Sequence, residues 1–205
     1  MSIVIVDYGM GNVGSIANML RKLGVPAVLS DVPEVVAAAD RLILPGVGSF
    51  DVAMENLRSR GLVEPLTRRV MVDGAPLLGI CLGMQLLAES SEEGSLPGLG
   101  WVAGRVTRLP AVGPDGPLPI PHMGWSKVRC EKPSAVLTSL GGEARYYFVH
   151  SYAFRCADPA DVLGVTDYGE SFTSAVEHDN VIGAQFHPEK SHRHGMALLA
   201  DFAAI

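Results

Sequence analysis

Three short segments of this chain carry residue types suited to nucleophilic acyl chemistry. In Gly79-Ile80-Cys81-Leu82-Gly83 a thiol stands between glycines two residues to either side. An apolar run at residues 76–80 precedes it and a helical pattern over residues 84–90 follows, so Cys81 falls at a strand-to-helix junction. This is the layout of a nucleophile elbow, in which glycines remove the clashes of a strained turn. The dipole and free N–H groups at the start of such a helix favour the thiolate, the form that attacks. Taken alone, Cys81 also fits a small buried apolar residue.

The second segment, Gln185-Phe186-His187-Pro188-Glu189, follows another apolar run. Side chains two apart in an extended chain share a face, and Pro188 biases His187 towards extended geometry. His187 and Glu189 are therefore expected on one side. A carboxylate holding one imidazole nitrogen leaves the other to take a proton from a thiol. An incidental surface His and Glu is the plainer alternative. In the third segment, Pro45-Gly46-Val47-Gly48 ends an apolar run, where backbone N–H groups can turn towards an oxyanion or simply form a βα turn. Together the segments supply nucleophile, base, orienting carboxylate and oxyanion donors. All lie at the carboxyl ends of candidate parallel strands, where open α/β sheets place their sites.

The elements that must position these groups read as alternating strands and helices. Strands are expected at residues 2–7, 27–30, 41–44, 76–80 and 181–186, with Pro45-Gly46 cutting off the third. Helices are expected at 15–23, 50–60, 62–73, 84–90 and 195–205. Continuous apolar strands alternating with helices imply a mostly parallel sheet covered on both faces. Between residues 101 and 166 the pattern changes to short, antiparallel-looking strands (101–109, 126–130, 144–154, 162–166) and a proline-rich loop at 110–121.

A chain of 205 residues with 48% hydrophobic content and 23 glycines fits one compact domain and argues against disorder. The net charge of −6, without a basic tract, gives no footprint for nucleic acid. No run reaches membrane-spanning length and the N-terminus has no signal-type pattern, so a cytoplasmic location is the default expectation. Three cysteines without framework spacing suit a reducing compartment. Cys130 and Cys156, in strand-like segments, are expected to be buried thiols. His192 and His194 look like half a metal site, but no third ligand is placed to join them. They read as a solvated helix start, and no metal or cofactor is expected.

A reading from another class competes. Residues 9–14 match G-x-G-x-x-G between a strand and a helix, with Asp31 near the end of the next strand, as in a nicotinamide-dependent oxidoreductase. No further feature suggests a substrate domain for it, and the Cys, His and Glu set would have no task.

GICLGMQLL and QFHPEKS are similar to the two triad motifs of class I glutamine amidotransferases. The whole chain resembles the glutaminase subunits of imidazole glycerol phosphate synthase within that class. Anthranilate, GMP and carbamoyl-phosphate synthases carry relatives of both motifs, so these give the chemistry and not the pathway. The pathway rests on DYGMGNVGS, LPGVGSF, IPHMGWS and YYFVHSY, spread from end to end. The third usually ends in Asn, and Ser126 in its place leaves that position's role open.

The resemblance implies a flavodoxin-like α/β core with an additional antiparallel portion, one amidotransferase domain over residues 1–205, and a cyclase partner with a (β/α)₈ barrel. Glutamine would be cleaved through a glutamyl thioester on Cys81. His187 would deprotonate the thiol and then protonate the departing ammonia, with Glu189 orienting it. The oxyanion hole would use the Leu82 N–H and one from Gly46, Val47 or Gly48, after a peptide flip there. Gln85, Ser151 and Tyr152 match positions that hold the substrate's amino-acid end, and His150 is read as helping to shape the site. Asn12, Trp125, Tyr147 and Lys190 match interface positions near the ammonia passage. Without the resemblance, Trp125 reads as core, Lys190 as a solvated charge and Tyr147 as a strand aromatic. His122 and Met123 belong to the interface motif with no assigned part. The loop at residues 9–14 would face the partner and bind no dinucleotide. Another triad glutaminase, as in vitamin B6 synthesis, is the alternative, although IPHMGWS has no evident task there.

Overall fold

The computed structural model describes residues 2–114, 116–137 and 144–205. Its first half alternates strands and helices: β1 (Ile3–Val6), α1 (Val13–Lys22), β2 (Ala27–Ser30), α2 (Pro33–Ala37), β3 (Arg41–Gly46), α3 (Phe50–Ser59), α4 (Val63–Thr67), β4 (Leu77–Cys81) and α5 (Leu82–Gln85). The second half adds β5 (Ser90–Ser91), β6 (Gly104–Arg108), β7 (Val112–Gly113), β8 (Gly116–Pro117), β9 (His122–Lys127), β10 (Arg129–Cys130), β11 (Arg145–His150) and β12 (Tyr152–Cys156). It closes with β13 (Val162–Tyr168), β14 (Glu170–His178), β15 (Val181–Ala184) and α6 (His192–Ala204).

Strands β2-β1-β3-β4-β15 form the parallel part of the main sheet, and β14, β12 and β6 continue it antiparallel. β1, β4 and β15 are buried along their whole length because both faces are covered. The period of two divides their side chains. Val4, Val6, Leu42, Leu44 and Leu77 pack towards α3 and α4, where Phe50, Met54, Leu57 and Leu66 meet them. Ile3, Ile5, Ile43, Leu78 and Ile80 face α1 and α6 through Ile16, Leu20, Leu198 and Phe202. The fold is of the mixed, mostly parallel α/β kind.

Several elements differ from the sequence expectations, each for a visible reason. β3 runs on through Pro45 and Gly46, which pair with Ile80 and Cys81. Its other neighbour, β1, pairs only as far as Ile43, so Pro45 sits where no ladder donor is needed on that side. The helix expected at 62–73 is α4 followed by a π turn at Arg68–Val72. The helix expected over 84–90 is the single turn of α5. The carbonyls of Leu86, Leu87 and Ala88 accept from Leu99, Trp101 and Gly100 instead of from the next helical turn. Strand β14 carries Ser171, Thr173 and Ser174 and so has no apolar signature. Inside the sheet Ser174 Oγ lies 2.8 Å from Thr166 Oγ1, which satisfies it.

The strand expected at 144–154 is broken at Ser151. Its first part, β11, pairs with β9 in a separate two-stranded ribbon, and its second, β12, joins the main sheet. Cys130 is exposed rather than buried, because among the described residues β10 is an edge strand whose one partner is β13, and Cys156 is partly buried. Among the described residues no helix is long and apolar enough to cross a membrane.

Candidate active site

Cys81 ends β4 in a left-handed conformation, φ 54°, ψ −109°. A non-glycine residue there is strained, and such strain persists only where packing enforces it. The flanking glycines do so sterically. A Cβ on Gly83 would lie 1.8 Å from the Leu44 carbonyl oxygen of β3, and one on Gly79 would lie 2.8 Å from the Gly83 carbonyl oxygen. Only hydrogen at both positions lets α5 press against β3 and β4 and turn the thiol outwards. One helical turn has little macrodipole, so the first N–H groups of α5, not a long helix, are what favour an anion at Cys81.

His187 lies beyond β15, next to β4. The Tyr147 carbonyl of β11 accepts its backbone N–H at 2.9 Å, and Ser191 Oγ donates to the His187 carbonyl at 2.6 Å. The turn that follows is a 3₁₀ helix, Pro188–Lys190, not extended chain. It still brings Glu189 Oε1 within 2.8 Å of His187 Nδ1, with both side chains almost sealed from solvent. Glu189 accepts from Nδ1, which leaves Nε2 to the Cys81 side. Burial works against a charged imidazole here. Hydrogen bonds and charge from Cys81 and Glu189 outweigh it and hold the imidazolium up to about 9.

These groups open into a cavity of about 460 Å³ lined by Val47, Gly48, Cys81, Leu82, Gln85, Glu93, Pro121, Val149, His150, Ser151, Tyr152, His187 and Lys190. Val47, Gly48 and Leu82 thus border the thiol. Gly46 does not line the cavity; it lies beneath it, where a Cβ would be 2.9 Å from both Gly83 N and Leu82 Cβ. Gly48 has φ +107°, which keeps this loop open to backbone rearrangement. The arrangement can perform acyl transfer: a thiol at a strained elbow, a base held by a carboxylate, and backbone donors beside them.

A family model for class-I glutamine amidotransferases matches residues 4–205. The chain belongs to the class-I glutamine amidotransferase family. Imidazole glycerol phosphate synthase subunit HisH 2 of Methanococcus maripaludis is 48% identical over 200 residues, covering 98% of each chain. The HisH protein of the same synthase from Bdellovibrio bacteriovorus is 48% identical over 204 residues, covering 99% of this chain and 100% of that protein. Among solved structures, a putative GMP synthase protein from Thermoplasma acidophilum superposes with a TM-score of 0.74 at 18% identity, over 100% of this chain and 92% of that one. At that identity the likeness concerns the fold alone.

In this amidotransferase Gly11, in the middle of the glycine loop, is packed against the protein itself, which does not favour the dinucleotide reading. A Cβ on Gly11 would meet Pro45 and Gly46 at 3.2 Å, so the loop packs against the end of β3. Asp31, the supposed ribose ligand, pairs with Arg60 at 3.1 Å.

Two buried amides and one carboxylate complete the site, and for two of these three residues the sequence suggests no role. Gln85 Nε2 donates to the Tyr152 carbonyl at 2.9 Å and to Gln185 Oε1 at 3.0 Å. Gln185 Nε2 in turn points at Cys81 Sγ, 3.8 Å away. The alternation that leads to His187 extends back to Gln185, two residues earlier, and is the signal that could mark it. Glu93 lines the cavity while its Oε2 accepts the Phe50 N–H at 2.9 Å. Burial, and then the charge of Asp51, raise its carboxyl above the ordinary range. No local motif marks Glu93; only the folding of the loop after β5 brings it in.

The four positions expected at an interface divide. Trp125 is 42% exposed and is not core. Its ring lies 6.0 Å from that of Tyr147 and stacks on His192 at 5.5 Å, and Lys190 Nζ sits 5.9 Å over Tyr147. These side chains form one outward-facing cluster next to Met123, itself 61% exposed. Asn12 stands apart at the start of α1, accepting the Ser15 hydroxyl at 2.9 Å; α1 packs against the Pro188–Lys190 turn. His192 is exposed at the start of α6, whereas His194 is partly covered, edge-on to Tyr146.

Proposed function

We propose that this amidotransferase hydrolyses L-glutamine to L-glutamate and ammonia and, as the glutaminase subunit of imidazole glycerol phosphate synthase, delivers the ammonia to a cyclase partner. The observation that carries the chemistry is the contiguous set of Cys81, His187 and Glu189 at the wall of a substrate-sized cavity. The pathway is supported by relatives of nearly equal length at 48% identity whose names give that synthase.

With the thiol proton on His187, Cys81 Sγ attacks the side-chain amide carbon of glutamine. The carbonyl electrons move to oxygen, which the Leu82 N–H and a donor from the Val47 segment stabilise. Collapse of this intermediate breaks the C–N bond. The His187 imidazolium gives its proton to the leaving nitrogen, and ammonia departs from a glutamyl thioester. His187, now neutral, takes a proton from water as the water attacks the thioester. Glutamate leaves and the proton returns to the sulfur. Glu189 keeps His187 in the Nδ1–H form and favours its charged state throughout. Glu93 supplies a carboxylate for the substrate's ammonium, and the backbone at Ser151 and Tyr152 flanks its amino-acid end.

Ammonia is a nucleophile only when neutral, and a sealed path preserves that form. Lys190 both lines the cavity and belongs to the exposed cluster with Tyr147 and Trp125, which favours that face as the partner's seat. The test is glutamate release from glutamine, by the chain alone and with the nucleotide-loaded cyclase. Release that requires Cys81, judged by Cys81→Ser, and rises with the loaded cyclase is the expected result. Cys81-dependent release indifferent to that partner would sink the pathway and keep the glutaminase.

A further inference from the structure

Behind the substrate wall lies a second hydrogen-bond chain that no step above uses. His122 and His150 stand opposite each other on β9 and β11, with His122 Nδ1 3.2 Å from His150 Nε2. His150 Nδ1 lies 2.8 Å from the Tyr152 carbonyl, which can only accept, so this nitrogen carries a hydrogen. In a neutral ring Nε2 is then the acceptor, and it takes the His122 Nδ1–H. By the same rule His122 Nε2 accepts, and its donor is the Ser126 hydroxyl at 3.0 Å. One carbonyl therefore fixes two tautomers and the direction of a hydroxyl.

The surroundings suit neutral rings. Both histidines are buried, and burial takes His122 down to about 4 and His150 to about 3. The His122 ring is stacked between Phe148 at 4.9 Å and Tyr168 at 4.1 Å, so it cannot swing aside. At the inner end, the same Tyr152 carbonyl accepts from Gln85, whose second hydrogen goes to Gln185, which points at Cys81 Sγ. The chain thus runs from Ser126, next to the exposed Trp125, to the nucleophile, with donors and acceptors matched at every link.

Resting on the glutaminase reading, we propose that Ser126, His122 and His150 are positioning residues: they fix the Tyr152 carbonyl and, through it, the Gln85 amide and the wall that holds glutamine. Ser126 is the outer donor that satisfies His122 Nε2. Without its hydroxyl that buried nitrogen loses its partner, and the His122 ring is held only from the His150 side.

The test uses the full chain and two readouts. Imidazole ¹⁵N–¹H correlation spectra of the chain alone read tautomers without activity. Both His122 and His150 should show a protonated Nδ1 and a bare Nε2 in the wild type and in Ser126→Thr, and in Ser126→Ala the bare His122 Nε2 should move downfield as its hydrogen bond is lost. Steady-state glutamate release is then measured with the nucleotide-loaded cyclase. Ser126→Ala should raise the KM for glutamine about five-fold, the worth of one neutral hydrogen bond, with kcat within about two-fold. Ser126→Thr and Ser126→Asn should restore KM. A protonated Nε2 on His150, an unchanged KM in Ser126→Ala, or a loss of kcat and KM together that Thr does not rescue would each overturn the proposal. Failure of the wild type to release glutamate would instead remove the glutaminase reading, and the positioning role with it.

Discussion

Replacing Cys81 by Ala should turn His187 into a much weaker base. Its ordinary value of 6.5 becomes about 9 in the folded protein. That gap corresponds to about 3 kcal/mol in favour of the imidazolium. Burial opposes the charge, so Cys81 and Glu189 together must supply more than this net amount. The His187 side chain is only 3% exposed, so solvent screening reduces their effect little. In Cys81→Ala the burial and Glu189 remain while the hydrogen bond and electrostatic support from Cys81 are gone, and His187 should titrate well below its wild-type midpoint. The sign for stability follows from linkage. A folded value above the unfolded one stabilises the protein fully below about 6.5, and the contribution is lost as pH rises towards about 9. The stability difference between wild type and variant should therefore be largest on the acid side and shrink across that window. For the reaction, the imidazolium is the proton donor to ammonia, so kcat/KM of the wild type should fall as pH passes about 9. Histidine-selective ¹³C NMR titration of both proteins, with urea unfolding at each end of the range, measures all but the last. A wild-type His187 titrating near 6.5, or equal midpoints in the two proteins, would refute the reasoning.

Three other perturbations separate the parts of the site. Glu93→Gln removes the carboxylate offered to the substrate's ammonium but keeps the acceptor for the Phe50 N–H. It should raise the KM for glutamine by about ten-fold or more, the scale of a charge-assisted hydrogen bond, with the melting temperature little changed. Gly83→Ala places a methyl group 1.8 Å from the Leu44 carbonyl oxygen, and the atoms it meets are all backbone, which cannot move aside as a side chain can. The loss in urea unfolding should reach about 3 kcal/mol, the upper part of the overpacking range, and a stable, active variant would contradict the packing account of the elbow. Trp125→Ala should weaken binding to the cyclase by about 2 kcal/mol or more in calorimetry, as truncation of an aromatic anchor does, while leaving the isolated chain folded. Unaltered affinity would move the interface elsewhere.

What could be read from the chain, and what could not, divides along a physical line. β1, β3, β4 and β15 announce themselves because burial on both faces demands unbroken apolar residues. The groups at their ends then follow from spacing: Cys81 from its glycine bracket, His187 and Glu189 from adjacency across one proline. In the loop at residues 9–14 the steric role of Gly11, packing against Pro45 and Gly46, is created by a strand more than thirty residues away and is invisible in the local pattern. β14 has no local signature because its buried Ser174 is satisfied by Thr166 across the sheet and not by anything near it in its own strand. α5 ends after one turn because the loop at residues 98–102 takes the carbonyls that follow it, at residues 86–89. Glu93 and the Ser126–His122–His150 chain belong to this second kind. Each is defined by partners distant in sequence, so residue type and spacing alone give it no signature. The nucleophile and base are local inventions of two turns. His187 is raised by Cys81 and Glu189 themselves, while the antiparallel half of the molecule supplies the Tyr152 carbonyl that orients Gln85. Changes in that half, at Ser126 above all, should therefore tune substrate binding and leave the chemical step to Cys81 and His187.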